Sequence, residues 1–211
     1  MEEPVYKYIR EHSTPQTEAL EWLEKQTNIH TNYPRMLSGA VQGRLLTMLV
    51  ELCKAKNILE IGTFTGYSAI CLAMGLGDEG RVDTLEINDE LEELTREAWS
   101  RAGLSDRIYL HLGDARQTLK SLKGTEYDLV YIDANKREYC EYFDLLIDML
   151  KSGGLMLVDD VLLGGKVYDT EPSCDKQTQG LLAFNDMVAR NPRVEVVILP
   201  IRDGLSLIRK L

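Results

Sequence analysis

Apolar residues recur along the chain in two alternating textures. Short runs rich in Val, Ile and Leu stand at Ile58–Ile61, Val82–Leu85, Ile108–Leu112, Leu129–Ile132, Leu155–Val158, Val194–Leu199 and Leu205–Ile208. Between them, apolar positions three and four apart fill Tyr67–Met74, Asp89–Ala102, Ala115–Leu122, Arg137–Leu150 and Thr178–Arg190. The first texture predicts buried strands and the second amphipathic helices. Strand alternating with helix predicts parallel β-α-β units. The last two strands are the exception. Only Pro200–Gly204 separates them, a hairpin length that forces an antiparallel pair. The expected fold is therefore α/β: a doubly wound, mostly parallel seven-stranded sheet with an antiparallel C-terminal edge. Two more helical patterns, about Thr14–Thr27 and Ser38–Lys54, precede it. Residues 1–54 are expected to form a helical cap and residues 55–211 the α/β core of one domain. The stretch Val161–Gln177 has no clear period, with Gly164, Gly165, Pro172 and Ser173 interrupting it. It follows the fifth strand at the end where open α/β sheets bind ligands, so it is expected to be a functional loop.

The first strand runs into Leu59-Glu60-Ile61-Gly62-Thr63-Phe64-Thr65-Gly66-Tyr67-Ser68, a strand, a glycine-bearing turn and then a helix. That junction binds nucleotide-like ligands. Yet it matches neither G-x-x-x-x-G-K-[ST] nor G-x-G-x-x-G, and Glu60 stands two residues before the first glycine. A pyrophosphate would be repelled there and a cationic ligand attracted. S-adenosylmethionine, with its sulfonium and ammonium, suits the turn better than NAD or ATP. Glu86 ends the second strand 24 residues after Gly62, near the ~20 expected of a ribose-binding carboxylate. The other reading of Glu86 is a solvated strand end or helix cap. Asp114 follows the third strand and either reaches an adenine or caps the next helix.

A second cluster follows strands four and five: Asp133-Ala134-Asn135-Lys136 and Asp159-Asp160. Adjacent strand ends lie about 5 Å apart, so three carboxylates converge on the ligand side. Such crowding calls for a cation, and hard oxygen ligands suit Mg²⁺, Mn²⁺ or Ca²⁺. The alternative is that Asp159 faces away and one carboxylate acts alone. Lys136 near a divalent cation is able to serve as a base, although the residues alone favour a surface lysine opening a helix.

Together these pieces resemble the cation-dependent, S-adenosylmethionine-dependent O-methyltransferases, the caffeoyl-coenzyme A and catechol group and especially its short bacterial members. The resemblance runs from about Pro34 to the end. It rests on Glu60–Ser68, on Asp133–Lys136 with Tyr139, on Asp159–Leu162, on Met36–Leu46 and on Asp203-Gly204. It implies a Rossmann-like methyltransferase fold. Met36, Ser38, Glu60, Gly62, Thr63, Phe64, Ser68, Glu86, Asp114, Ala115 and Asp133 would line the cofactor. Asp133, Asp159 and Asp160 would hold the metal, with Lys136 and Asp133 the catalytic pair. Asp160 falls where the family usually has Asn, and Leu163 where many members carry Trp. The expected reaction methylates one hydroxyl of a small catechol- or caffeoyl-type diol. Alternatives are a tRNA hydroxyuridine O-methyltransferase and, in another class, an NAD-dependent dehydrogenase.

Composition narrows the partners. A net charge of −10 argues against broad nucleic-acid or anionic-membrane binding, tRNA included. The acidic start, Met1–Pro4, does not read as a secretory signal. Apolar runs such as Leu155–Val158 are too short to span a bilayer. Cys53, Cys71, Cys140 and Cys174 form no C-x-x-C pair and are expected as free thiols in a reducing cytoplasm. His12, His30 and His111 are too dispersed for a zinc motif. The resemblance suggests a homodimer through the N-terminal helices.

Overall fold

The computed structural model describes residues 4–170 and 175–211. Helices α1 (Pro4–Glu11), α2 (Glu18–His30) and α3 (Gly39–Cys53) lead into β1 (Asn57–Ile61) and α4 (Tyr67–Met74). Then follow β2 (Arg81–Glu86), α5 (Glu92–Arg101), β3 (Ile108–Leu112), α6 (Ala115–Ser121) and β4 (Tyr127–Ile132). The chain closes with α7 (Tyr139–Leu146), β5 (Leu150–Val158), α8 (Lys176–Ala189), β6 (Val194–Leu199) and β7 (Leu205–Lys210).

The strand order is β3-β2-β1-β4-β5-β7-β6. Strands β1 to β5 pair in parallel, and β7 runs antiparallel between β5 and β6. The chain starts in the middle, winds outward to β3, then returns to β4. The order reverses between β1 and β4, where a doubly wound sheet opens a ligand crevice.

Strand alternation builds two apolar layers. Ile58, Leu129, Tyr131 and Leu157 face α2–α5, where Leu23, Leu46, Ile70 and Trp99 pack. Leu59, Ile61, Val130 and Ile132 face the other way, against Phe143, Leu146, Leu181 and Phe184. A period of two on strands flanked by helices dictates this sandwich.

Every expected strand is present, but some bounds differ. Helix α7 stops at Leu146, and Leu150, expected as the end of that helix, instead opens β5 and pairs with Tyr127. Gly153, at φ 79°, follows as the ladder shifts register between Tyr127 and Leu129. Helix α2 begins at Glu18, beyond Pro15 and Thr17, and runs on to His30. Helix α1 was not anticipated; it buries no residue, and its apolar Val5, Tyr6, Tyr8 and Ile9 are exposed. Of the aperiodic stretch Val161–Gln177, Leu163–Gly165 forms one 3-10 turn and α8 starts at Lys176; Pro172 and Ser173 lie outside the described residues.

One expectation needs correction. By length and composition, Pro34–Cys53 is apolar enough to cross a membrane. In the fold, α3 within it is a core helix against α4. Leu46 and Val50 are fully buried, and the Thr47 hydroxyl donates to the Cys71 carbonyl at 2.7 Å. Cys53, Cys71 and Cys140 are free thiols; Cys174 lies outside the described residues.

Candidate active site

The turn between β1 and α4 is shaped by close backbone approach. Gly62 has φ 98°, and a Cβ there would lie 2.0 Å from the carbonyl oxygen of Asp133. The contact arises because the Asp133 N–H donates to the Ile61 carbonyl at 2.9 Å, stitching the ends of β1 and β4 together. Gly66, at φ 84°, leaves room for Trp99, whose Nε1 would stand 2.5 Å from a Cβ. Both glycines are thus required by φ and by space.

The amides of this turn already have an anion. Thr63 and Phe64 N–H groups donate to Oε2 of Glu86 at 3.1 and 2.8 Å. Those of Ile87 and Asn88 donate to Oε1, both at 2.9 Å. Backbone N–H groups in such turns elsewhere cradle phosphate; here they fix a carboxylate at the rim of a cavity of about 620 Å³. Every residue expected to line the cofactor is on the wall of that cavity except Glu60. Tyr33, Leu91 and Tyr142 also line it and were not anticipated. They come from separate elements that only the tertiary fold brings together. Asp114 is a helix cap and also a wall residue. It caps α6 by accepting from the Arg116 N–H at 2.9 Å, holds the Arg116 side chain, and stands on the cavity wall.

Glu60 lies beneath the wall, fully buried. Thr84 donates to its Oε2 at 2.5 Å, and Oε1 has no partner among the described residues. Burial pushes its pKa up to about 8, against the opposing pull of Ser68 and Thr84. At neutral pH it is mostly protonated, which corrects the expectation that its charge repels a pyrophosphate. That repulsion falls to Glu86, Asp114 and Asp133 on the wall itself. The folded chain therefore holds a proton that the unfolded chain releases near pH 4.5, so stability should fall as pH rises from there to about 8. Glu60→Gln mimics the protonated acid and should flatten this slope. Urea unfolding of both proteins at several pH values checks it; parallel curves would remove Glu60 from the account.

The carboxylate cluster divides. Lys136 is not a surface lysine: its side chain is 13% exposed, and Nζ lies 2.9 Å from Asp133 Oδ1 and 2.7 Å from Asp160 Oδ2. Asp159 is turned toward α3, its Oδ2 accepting from Gln42 and from the Tyr131 hydroxyl at 2.9 Å. Its Oδ1 takes the Asp160 N–H at 2.9 Å. Two of the three carboxylates therefore share one ammonium. Among the described residues, no three His, Cys, Asp or Glu side chains form a metal-ready group. Burial raises the pKa of Asp133, with Lys136 partly offsetting it. Burial, then Asp133 and Asp160, push Asp159 up to about 6. Burial works against the Lys136 charge, but Tyr139, Asp133 and Asp160 outweigh it and raise its pKa. Asp133 and Asp160, which meet at the Lys136 ammonium, are hard oxygen donors of the kind divalent ions take, whereas Asp159 is turned away from them toward Gln42 and Tyr131. Asp160 sits at φ 59°, a left-handed conformation that Asn and Asp tolerate best.

A reversing parallel sheet, a carboxylate fixed across the strand–turn–helix junction and a buried acid–lysine cluster at the same mouth make up the ligand crevice of a doubly wound α/β protein. Comparison with known proteins makes the assignment particular. A family model described as O-methyltransferase matches residues 10–211, and the chain belongs to that family. It is 34% identical to a caffeoyl-CoA O-methyltransferase of Eucalyptus gunnii, over 98% of this chain and 87% of the relative. It is 34% identical to catechol O-methyltransferase domain-containing protein 1 of Mus musculus, over 99% and 80%. The solved structure of the O-methyltransferase TomG of Streptomyces achromogenes, in complex with SAM, superposes with a TM-score of 0.91 at 32% identity, covering 100% of this chain and 99% of that one. The dehydrogenase alternative ends with this assignment.

Proposed function

We propose that this enzyme methylates one hydroxyl of a small aromatic vicinal diol, with a divalent cation held by Asp133, Asp159 and Asp160. The observation that carries the reading is the Lys136 ammonium between Asp133 and Asp160, beside the cavity that Asp133 and Ser68 line. Buried carboxylates need a cation, and a diol acceptor needs a base within reach of its hydroxyl. The names of the caffeoyl- and catechol-type relatives support the acceptor class. Bound there, a divalent cation would chelate the two adjacent oxygens and lower the pKa of one.

The chain's own residues supply the rest. Glu86 would take the ribose hydroxyls, held in place by its four backbone donors. Met36 and Ser38 would cover the methionine end, and Phe64, Ala115 and Asp114 would flank the adenine. Lys136, held beside the cavity by Asp133 and Asp160, would take the hydroxyl proton on its Nζ when it carries the free amine. The oxygen lone pair then forms the bond to the methyl carbon as the sulfonium C–S bond breaks, leaving a neutral thioether. Much of the rate would come from this alignment. We place the enzyme in the cytoplasm as a homodimer, the latter checkable by sedimentation.

The test is methyl transfer to an ortho-diphenol with and without EDTA. Chelation should abolish turnover, and Mg²⁺ or Mn²⁺ should restore it; full activity in EDTA ends the metal reading. In the same assay Asp160→Asn should keep most activity at saturating metal while needing more of it. Asp160→Ala, which loses the oxygen as well, should be far worse.

A further inference from the structure

The hairpin turn between β6 and β7 reaches across the molecule. From it, Arg202 donates through Nη1 to the Leu37 carbonyl and through Nη2 to the Arg35 carbonyl at 2.9 Å. Those two carbonyls bracket Met36, which is 55% exposed and stands on the cavity wall. Among the described residues, the long-range hydrogen bonds onto residues 31–37 are those from Arg202; the rest are local, to the Thr27, Tyr33 and Pro34 carbonyls. The turn's own shape is fixed. Gly204 has φ 90°, and a Cβ there would meet Leu162 Cγ at 2.4 Å. Leu162 and Val161 N–H groups donate to the Asp203 and Gly204 carbonyls at 2.7 and 3.1 Å. The Gly164 N–H donates to Asp203 Oδ1 at 3.1 Å. A guanidinium is suited to this task because its planar fork reaches two acceptors at once.

We propose that Arg202 is a positioning residue for the cofactor, clasping residues 31–37 so that Met36 and Ser38 stand over the cavity. It rests on S-adenosylmethionine filling that cavity. The clasp should slow release of the ligand and should contribute little to folding.

Calorimetry with S-adenosylhomocysteine tests this on the full chain. Arg202→Ala should bind about tenfold more weakly, the size of one charge-assisted hydrogen bond. Stopped-flow should assign the loss to faster release. Arg202→Lys keeps the charge without the fork and should fall between the two. Trypsin should cut after Arg35 faster in Arg202→Ala than in the wild type. Asp203→Asn keeps the turn and the guanidinium and should bind like the wild type. If circular dichroism shows that Arg202→Ala does not fold, Arg202→Gln decides in its place. Wild-type affinity in the alanine variant overturns the proposal. So does equal weakening by Asp203→Asn, which would make the charge of the turn, and not the clasp, responsible. A wild type that does not bind S-adenosylhomocysteine refutes the reading of the cavity, and the clasp with it.

Discussion

Gly62→Ala should give a protein that is much less stable and binds no S-adenosylmethionine. The added methyl would lie 2.0 Å from the Asp133 carbonyl oxygen and 2.8 Å from its carbon, both backbone atoms that no rotamer change moves aside. The backbone at φ 98° also disfavours any Cβ. Overpacking costs about 1–3 kcal/mol, and a positive φ about 1–2 more. Against a total stability of roughly 5–15 kcal/mol that is a large fraction. For a chain of this size it corresponds to a melting temperature lower by roughly 10 °C. The damage is local as well as global. The ends of β1 and β4 would part where the Asp133 N–H meets the Ile61 carbonyl, carrying Asp133 away from Lys136. Thermal unfolding and calorimetry check it. A variant that melts and binds like the wild type would show that the junction is slack.

Lys136→Met should lower methyl transfer by a factor of about 10² or more, the typical contribution of a general base. Affinity for S-adenosylmethionine should change little, because Lys136 is not on the wall of the cavity. Without added metal the variant should also be less stable, by about 3–5 kcal/mol at most, since two largely buried carboxylates lose their counter-charge. Turnover and denaturant unfolding separate these effects. Full turnover with reduced stability would leave Lys136 as a counter-ion and nothing more.

The sequence made the fold legible because its signals were redundant. Seven apolar runs, helical patterns between them and a five-residue gap before the last strand all pointed to one topology. Leu150 misled because a single apolar residue beside glycines fits a helix end or a strand start equally well. The position of site residues was legible wherever a strand ended, as at Glu86, Asp133 and Asp160. What side chains did there was less so. Glu60 carries the same motif signal whether it faces the cavity or lies under it, and only its burial beside Thr84 decides its charge. Lys136 looked like a surface residue because nothing local marks the fold-back onto Asp160, 24 residues away. Arg202 gave no signal at all, since its partners lie 165 and 167 residues distant.

Glu86 gives the junction a further character. A loop that waits for phosphate is open to competition from every phosphorylated metabolite in the cell. Here the competing anion is tethered, at an effective concentration fixed by the backbone and independent of mass action from outside. Discrimination against phosphate-bearing adenine compounds should therefore be built into the folded chain before any ligand arrives.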